Sequence, residues 1–202
     1  MVKHVLNKYP IHELLRQRWS PRAFANRPVE PEKLLSILEA ARWSQSTFNE
    51  QPWSFVLASK EDQPEHERLL SCLNEGNLRW ARCAPVLMLS VARLNFEKNG
   101  RPNRHALHDV GMAVASMVLQ ATSLGLSMRQ MAGFFPDKAR DRYAIPEGYE
   151  PVAVIALGYL GKVDTLPEEL REKELSRRNR KEMREFVFAK QWGKAAPLAN
   201  MQ

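Results

Sequence analysis

Residues 84–91 read Ala84-Pro85-Val86-Leu87-Met88-Leu89-Ser90-Val91, a nearly unbroken apolar run. Such a run suits a strand in a sheet covered on both faces, which calls for helices on either side. Two further segments read as its neighbours. Trp53 to Ala58 is a strand running into the core, and Pro151 to Gly161 is a core strand that leaves through glycines. The helices follow from periodicity. Ile11 to Arg18 reads as a short helix. Pro31 opens a clear amphipathic helix with Leu34, Leu35, Ile37, Leu38 and Ala41 on one face. A less sharply bounded helix extends from the Ser59–Pro64 segment to about Ala81. Asp109 to Leu124 is the best core helix, with Val110, Ala113, Val114, Met117, Val118, Ala121 and Leu124 on a broad apolar face. Gly111, Ala113, Ala115 and Ser116 would let another helix approach closely, including one from a second copy.

The 202 residues suffice for one domain with a sizeable core, and no repeat, low-complexity segment or linker divides them. With 44% hydrophobic and 26% charged residues the composition is that of a globular protein, which excludes a disordered chain. No apolar run is long enough to span a bilayer, and Met1 to Asn7 does not read as a signal peptide, so the expected location is cytoplasmic and without a membrane partner. Cys72 and Cys83 fit neither a metal spacing nor a disulfide scaffold, and packing is their expected role. The net charge of +7 suits nucleic acid, a phosphorylated ligand or plain solubility. Without zinc-finger spacing or an RNA-binding aromatic motif, no nucleic-acid partner is expected. His105 and His108 sit beside Asp109, but no nucleophile stands at a diagnostic spacing, and no metal or catalytic side chain is assigned.

Three polar stretches carry chemistry. Ala41 to Leu57 contains a glycine-free loop in which Ser46, Thr47, Asn49 and Gln51 offer donors and acceptors at close spacing. That loop suits either a heteroaromatic edge or a turn that satisfies its own backbone. Arg18, Ser20 and Arg22 can converge on one anion, since arginine donors form a fixed fork. They equally suit a solvated helix end. Arg177-Arg178-Asn179-Arg180-Lys181 is the densest basic run, followed by the apolar Phe186, Val187, Phe188 and Trp192. Asn77 reads as a surface residue or a local cap, and Gly133 permits a turn or close approach by a ring. Phe134, Phe135 and Tyr143 suit a substrate pocket or the core. The segment from Asn95 to Arg104 reads as a variable surface excursion.

These stretches resemble the nitroreductase-like FMN-dependent oxidoreductase family. The family's flavin loop, Ala-Pro-Ser-x-x-Asn-x-Gln-Pro-Trp, is matched at Ser46, Asn49, Gln51, Pro52 and Trp53, with Ser44 at the family's alanine and Gln45 at its proline. The N-terminal motif Arg-Arg-Ser-x-Arg-x-Phe is matched at Arg18, Ser20, Arg22 and Phe24, with Trp19 in place of arginine or histidine. The resemblance spans residues 11–188 of a single 1–202 domain. It implies an α+β fold, with a mixed, mainly antiparallel sheet flanked by helices, in a domain that forms an intertwined homodimer. The tail would dock on the partner. The family binds FMN and uses NADH or NADPH to reduce small acceptors such as nitroaromatics or quinones by ping-pong hydride transfer. A specialised flavoenzyme of the same fold, performing ene reduction, dehalogenation or flavin fragmentation, is an alternative, as is a non-enzymatic FMN-binding regulator.

By the same resemblance, Arg18 and Ser20 touch the FMN phosphate or ribityl chain, with Trp19 between them, and Arg22 meets the pyrimidine edge. Gln45, Ser46, Thr47 and Asn49 belong to the flavin loop, Asn77 contacts the ring, and Arg178 and Arg180 hold the phosphate. The family places a backbone N–H near flavin N5 at Ala132 and Gly133, where it often has a glutamate in place of Ala132. A backbone donor survives that exchange, and a carboxylate role does not. The glycines near 158–161 are not a dinucleotide fingerprint, so a nicotinamide would need no Rossmann domain of its own.

Overall fold

The computed structural model describes residues 7–200, so most of the N-terminal stretch read for a leader lies outside the described residues. Four strands form one sheet: β1 (Trp53–Ser59), β2 (Val86–Arg93), β3 (Ser127–Met131) and β4 (Tyr149–Gly158), in spatial order β1-β2-β4-β3. All three pairings are antiparallel. The α+β architecture expected from the resemblance is present, with the antiparallel component making up the whole described sheet.

The apolar run at residues 84–91 becomes β2, one of the two central strands. Period-two alternation sends Leu87, Leu89 and Val91 to one face and Val86, Met88 and Ala92 to the other. β4 does the same with Val154 and Ala156 against Ile155 and Leu157. Ser90 is the polar exception. It is buried, its hydroxyl donates to the Ala153 carbonyl at 3.1 Å, and the β2–β4 register shifts beside it. One face of the sheet is covered by α2 (Pro31–Arg42) and the long α5 (Ala106–Ser123). The other is covered by α3 (Gln63–Leu70), α4 (Glu75–Ala81), α6 (Pro136–Tyr143) and α7 (Glu168–Leu175).

α5 follows its sequence pattern and starts three positions earlier than expected. Val110, Ala113, Val114, Met117, Val118 and Ala121 are all buried at helical spacing. Each full burial of such a valine or methionine side chain is worth about 1.5–3 kcal/mol. α2 begins at Pro31 as read, but Leu35 is exposed, so the buried stripe is narrower. The helix expected as far as Ala81 is two helices. The break falls where Asn74 accepts from the Asn77 N–H at 3.1 Å and caps α4, which ends any continuation from α3. Asn95–Arg104 is folded back on itself through an Asn95–Pro102 bridge and a buried Asn103.

The short α1 (Glu13–Gln17) lies against α5, and the chain then turns at Arg18–Pro21. Residues 23–25 run beside residues 159–161: Ala25 donates to the Tyr159 carbonyl and Gly161 to the Ala23 carbonyl, both at 2.9 Å. The contact is so close that a Cβ on Gly161 would stand 2.5 Å from the Phe24 carbonyl carbon. This crossing fixes the N-terminal turn at the β3 end of the sheet.

Candidate cofactor site

α1 stops at Gln17, and Arg18, the cap residue, leaves helical geometry and donates through Nη1 to Ser20 Oγ at 3.1 Å. The C-terminal arm returns to the same point. Arg178 donates through Nη1 to the Arg18 carbonyl and through Nη2 to the Arg16 carbonyl at 2.8 Å. Arg18, Arg178 and Arg180 line one cavity of about 300 Å³, together with Tyr9, Leu15 and Met183. Burial, and then the charges of Arg178 and Arg180, lower the pKa of Arg18. Three guanidinium groups that repel one another make a site whose electrostatics favour an anion.

A second cavity of about 200 Å³ shares Leu15 and Arg18 with the first. Ser20 and Gln130 give it a polar rim, while Ala115, Val118, Leu119 and Met128 give it an apolar floor. One ligand with an anionic end and a flat apolar body matches this pair of chambers.

On the other face of β3 lies a buried charge cluster. Glu174 of α7 is 1% exposed, and its Oε1 accepts the Arg22 N–H at 2.8 Å and the Ala23 N–H at 3.2 Å. Its Oε2 stands 3.5 Å from Arg22 Nη1. Arg129 donates to the Ser20 carbonyl and lies 5.2 Å from the centre of the Trp80 ring. Burial, and then the Arg22 charge, bring its pKa down to about 10, with Glu174 acting in the opposite direction. Strand alternation explains the arrangement: Arg129 points to the Trp80 face, while Met128 and Gln130 face the cavity beside α5.

Gly133 follows β3. Its carbonyl accepts Asn77 Nδ2 at 2.9 Å and the Asn74 N–H at 3.2 Å. A Cβ on Gly133 would meet Asn74 Nδ2 at 2.5 Å and Asn77 Nδ2 at 2.6 Å, so only glycine fits this approach without displacing them. Asn77 is therefore tied to the post-β3 turn, and Ala132 beside it is exposed. Phe134 and Tyr143 pack with the core, whereas Phe135 is exposed.

The loop after α2 is held differently. Asp109, fully buried at the start of α5, accepts the Thr47 N–H at 2.9 Å and its hydroxyl at 3.4 Å. Ser46 Oγ accepts the Gln51 N–H at 3.0 Å, and Gln45 reaches Met112 Sδ at 3.3 Å. Phe48, Asn49 and Gln51 take left-handed φ values of 53°, 59° and 48°. Such backbone costs of order 1–3 kcal/mol per residue and clusters at functional sites. Phe48 is 87% exposed, and its ring centre lies 6.0 Å from that of Phe96.

The structure thus brings together Arg18, Ser20, Arg178 and Arg180, with Trp19 half-buried; Arg22 lines neither cavity and turns to Glu174. It sets Asn77 and Gly133 together on the turn after β3. Gln45, Ser46, Thr47 and Asn49 are anchored elsewhere, at the start of α5. Asp109 and Val118 are nine positions apart on that helix, about 14 Å along its axis. The sequence reading did not single out Arg129 and Glu174, and it did not foresee that Asp109 anchors the loop. His105 and His108 beside Asp109 are exposed, so the carboxylate serves Thr47 and not a relay.

An antiparallel sheet with helices on both faces, and a cavity lined by three arginines beside α1, define the class as an α+β protein with a strongly cationic pocket. The chain belongs to the Nitroreductase family, whose description it matches over residues 15–78 and 59–159. A solved structure described as "the oxidoreductase containing FMN" is 34% identical, covers 93% of this chain and 95% of its own, and superposes with a TM-score of 0.85. A nitroreductase family protein from Clostridium difficile 630 is 26% identical, with 81% of this chain and 92% of its own covered and a TM-score of 0.64. A protein of Polynucleobacter asymbioticus named "Putative NADH dehydrogenase/NAD(P)H nitroreductase" is 25% identical over 186 residues, 83% of this chain and 93% of its own.

Proposed function

We propose that this protein is an FMN-dependent oxidoreductase that draws electrons from NADH or NADPH and reduces small acceptors such as nitroaromatics or quinones. In this reading the nicotinamide leaves before the acceptor enters. The observation that carries it is the cavity in which Arg18, Arg178 and Arg180 converge beside an apolar chamber. Membership of the Nitroreductase family supports the same reading, as do the FMN named for the 34%-identical structure and the NAD(P)H in the name of the Polynucleobacter protein.

The residues present fit FMN. Three guanidinium groups and the Ser20 hydroxyl form a donor set suited to a phosphate. The floor of Ala115, Val118, Leu119 and Met128 suits an apolar ring system. Gly133 packs so closely against Asn74 and Asn77 that a Cβ would displace them, which holds the backbone of this turn in place. FMN, when bound, supplies the hydride chemistry, so no covalent nucleophile is needed from the chain.

The chain's own groups have separate tasks. Arg18, Ser20, Arg178 and Arg180 hold the phosphate end, with Trp19 flanking them. Arg22 lines neither cavity and faces Glu174, but it follows Ser20 by two positions, and in this reading it carries positive charge toward the pyrimidine edge, where negative charge develops on reduction. Asn77 fixes the Gly133 carbonyl, which orients the backbone at Ala132 and Gly133 toward the ring. Gln45, Ser46, Thr47 and Asn49 complete the site of a second copy in a homodimer, which accounts for a strained, outward-facing loop anchored away from the arginines. The same reading includes a cytoplasmic setting, which the two free thiols of Cys72 and Cys83 suit. Among the described residues no helix is long and apolar enough to cross a membrane.

An anaerobic absorbance spectrum tests this function. The protein is mixed with FMN, freed of unbound ligand, and titrated with NADH and then NADPH. A stoichiometric flavin spectrum that bleaches with either donor and recovers on adding a quinone is the expected result. Folded protein that retains no flavin would overturn the proposal.

A further inference from the structure

Glu174 does nothing in the function described so far, yet it is the most conspicuous charge in the interior. It is 1% exposed, whereas the acids beside it on α7 point to solvent. A buried carboxylate is costly unless paired and hydrogen-bonded. Here it is met by two backbone N–H groups, from Arg22 and Ala23, and by the Arg22 guanidinium. Arg129 is the second cation of the cluster, half-buried and facing Trp80 and the Ser20 carbonyl. The cluster therefore holds two positive charges against one negative charge. Arg22 is its outward member, with a side chain 20% exposed, and Glu174 stands behind it.

We propose that Glu174 is a positioning residue that fixes the backbone and guanidinium of Arg22 and offsets part of the Arg22–Arg129 charge, keeping the potential of the bound cofactor low. The proposal rests on the FMN reading above. Its physical basis is that reduction adds negative charge to the cofactor, and nearby uncompensated cations favour that state in a poorly solvated site. Glu174 limits this preference. Without its charge the Arg22–Arg129 pair would stabilise the reduced cofactor more strongly, and the enzyme would become a weaker reductant.

The test is the FMN midpoint potential of holoprotein, measured by equilibration with redox dyes in wild type, Glu174→Gln, Arg129→Met and Glu169→Gln. Glutamine keeps the shape and an acceptor for the Arg22 and Ala23 N–H groups while removing the charge. Glu174→Gln is expected to favour reduced over oxidised FMN about tenfold, a rise of about 30 mV for a two-electron couple. Arg129→Met is expected to move the potential the other way. Glu169, exposed on the same helix as Glu174 and paired with Arg79 of α4, is the control and leaves the potential unchanged. A Glu174→Gln protein that is less heat-stable but has an unshifted or lowered potential would reduce Glu174 to a structural role and overturn the proposal. If Glu174→Gln does not fold, Arg129→Met decides: a lower potential supports the proposal, and an unchanged one overturns it. Wild-type protein that binds no FMN removes the FMN reading and this proposal together, whereas a normal wild-type flavin with unshifted variants removes this proposal alone.

Discussion

The turn from Arg18 to Ala23 and the loop from Ser46 to Gln51 are held by opposite means. The turn is gripped from all sides by distant parts of the chain: Arg178 on the Arg18 carbonyl, Arg129 on the Ser20 carbonyl, and Glu174 on the N–H groups of Arg22 and Ala23. Its backbone shows no left-handed residue. The loop has two anchors, Asp109 on Thr47 and Arg93 on Glu50, and three non-glycine residues in left-handed geometry. The first arrangement gathers an arginine-lined cavity from distant parts of one chain. The second stores strain in a segment from which Phe48, Asn49 and Gln51 face outward. Preorganisation by packing and preorganisation by strain thus coexist in one chain, and each has its own failure mode.

Removing Arg18 attacks the packed half directly. Arg18→Ala deletes a charged donor from the phosphate end, and such bonds are worth about 1.5–3 kcal/mol, so FMN dissociation constants should rise roughly 10- to 150-fold. Equilibrium fluorescence titration measures this, and unchanged retention would sink the assignment. The unfolding temperature should move little, because the Arg18 carbonyl that receives Arg178 remains.

Asp109→Ala attacks the strained half. It removes the buried acceptor for Thr47 and is expected to cost about 1–3 kcal/mol in urea unfolding. Limited proteolysis should then cut first within residues 45–51. If cleavage began instead in the C-terminal arm, the two halves would not be independent.

Phe48→Gly is a milder probe. It relieves a left-handed φ worth about 1–2 kcal/mol but loosens the unfolded chain and gives up the contact with Phe96. These effects oppose one another, so stability should stay within about 1 kcal/mol of wild type. A loss larger than that would show that the loop is held by its side chain and is not under strain.

A baseline comes from His66, which lies in neither region. It is buried, its Nε2 lies 3.0 Å from the Ala84 carbonyl, and burial lowers its pKa below the ordinary 6.5. The unfolded chain therefore binds the proton more readily. The contribution of His66 is complete above pH 6.5 and is lost as pH falls through that value toward the folded pKa. Thermal melts of wild type should show this slope, and His66→Gln should flatten it.

Much of this was legible in the sequence wherever a single period dominates. β2, α2 and α5 announce themselves through alternation or helical spacing because burial imposes that spacing. The gap between α3 and α4 was missed because Asn74 signals a cap only once Asn77 is known to start a helix. β3 was missed because an edge strand of five residues that includes Arg129 and Gln130 carries too little apolar alternation. In the site, Arg18 and Ser20 stand out through a local motif. Arg129 and Glu174 have no local signal, since what distinguishes them is being buried against each other's neighbours from distant segments.

The contacts that hold Arg22 also set a schedule for biosynthesis. The N–H of Arg22 finds its acceptor 152 positions later, on Glu174. At roughly 5–20 residues per second, a ribosome needs roughly 8–30 s to cover that interval. During it the arginine-rich turn is already made but lacks the carboxylate that receives the Arg22 and Ala23 N–H groups. The arginine-rich turn, among the first segments to be translated, is thus among the last parts of the molecule to take its final shape.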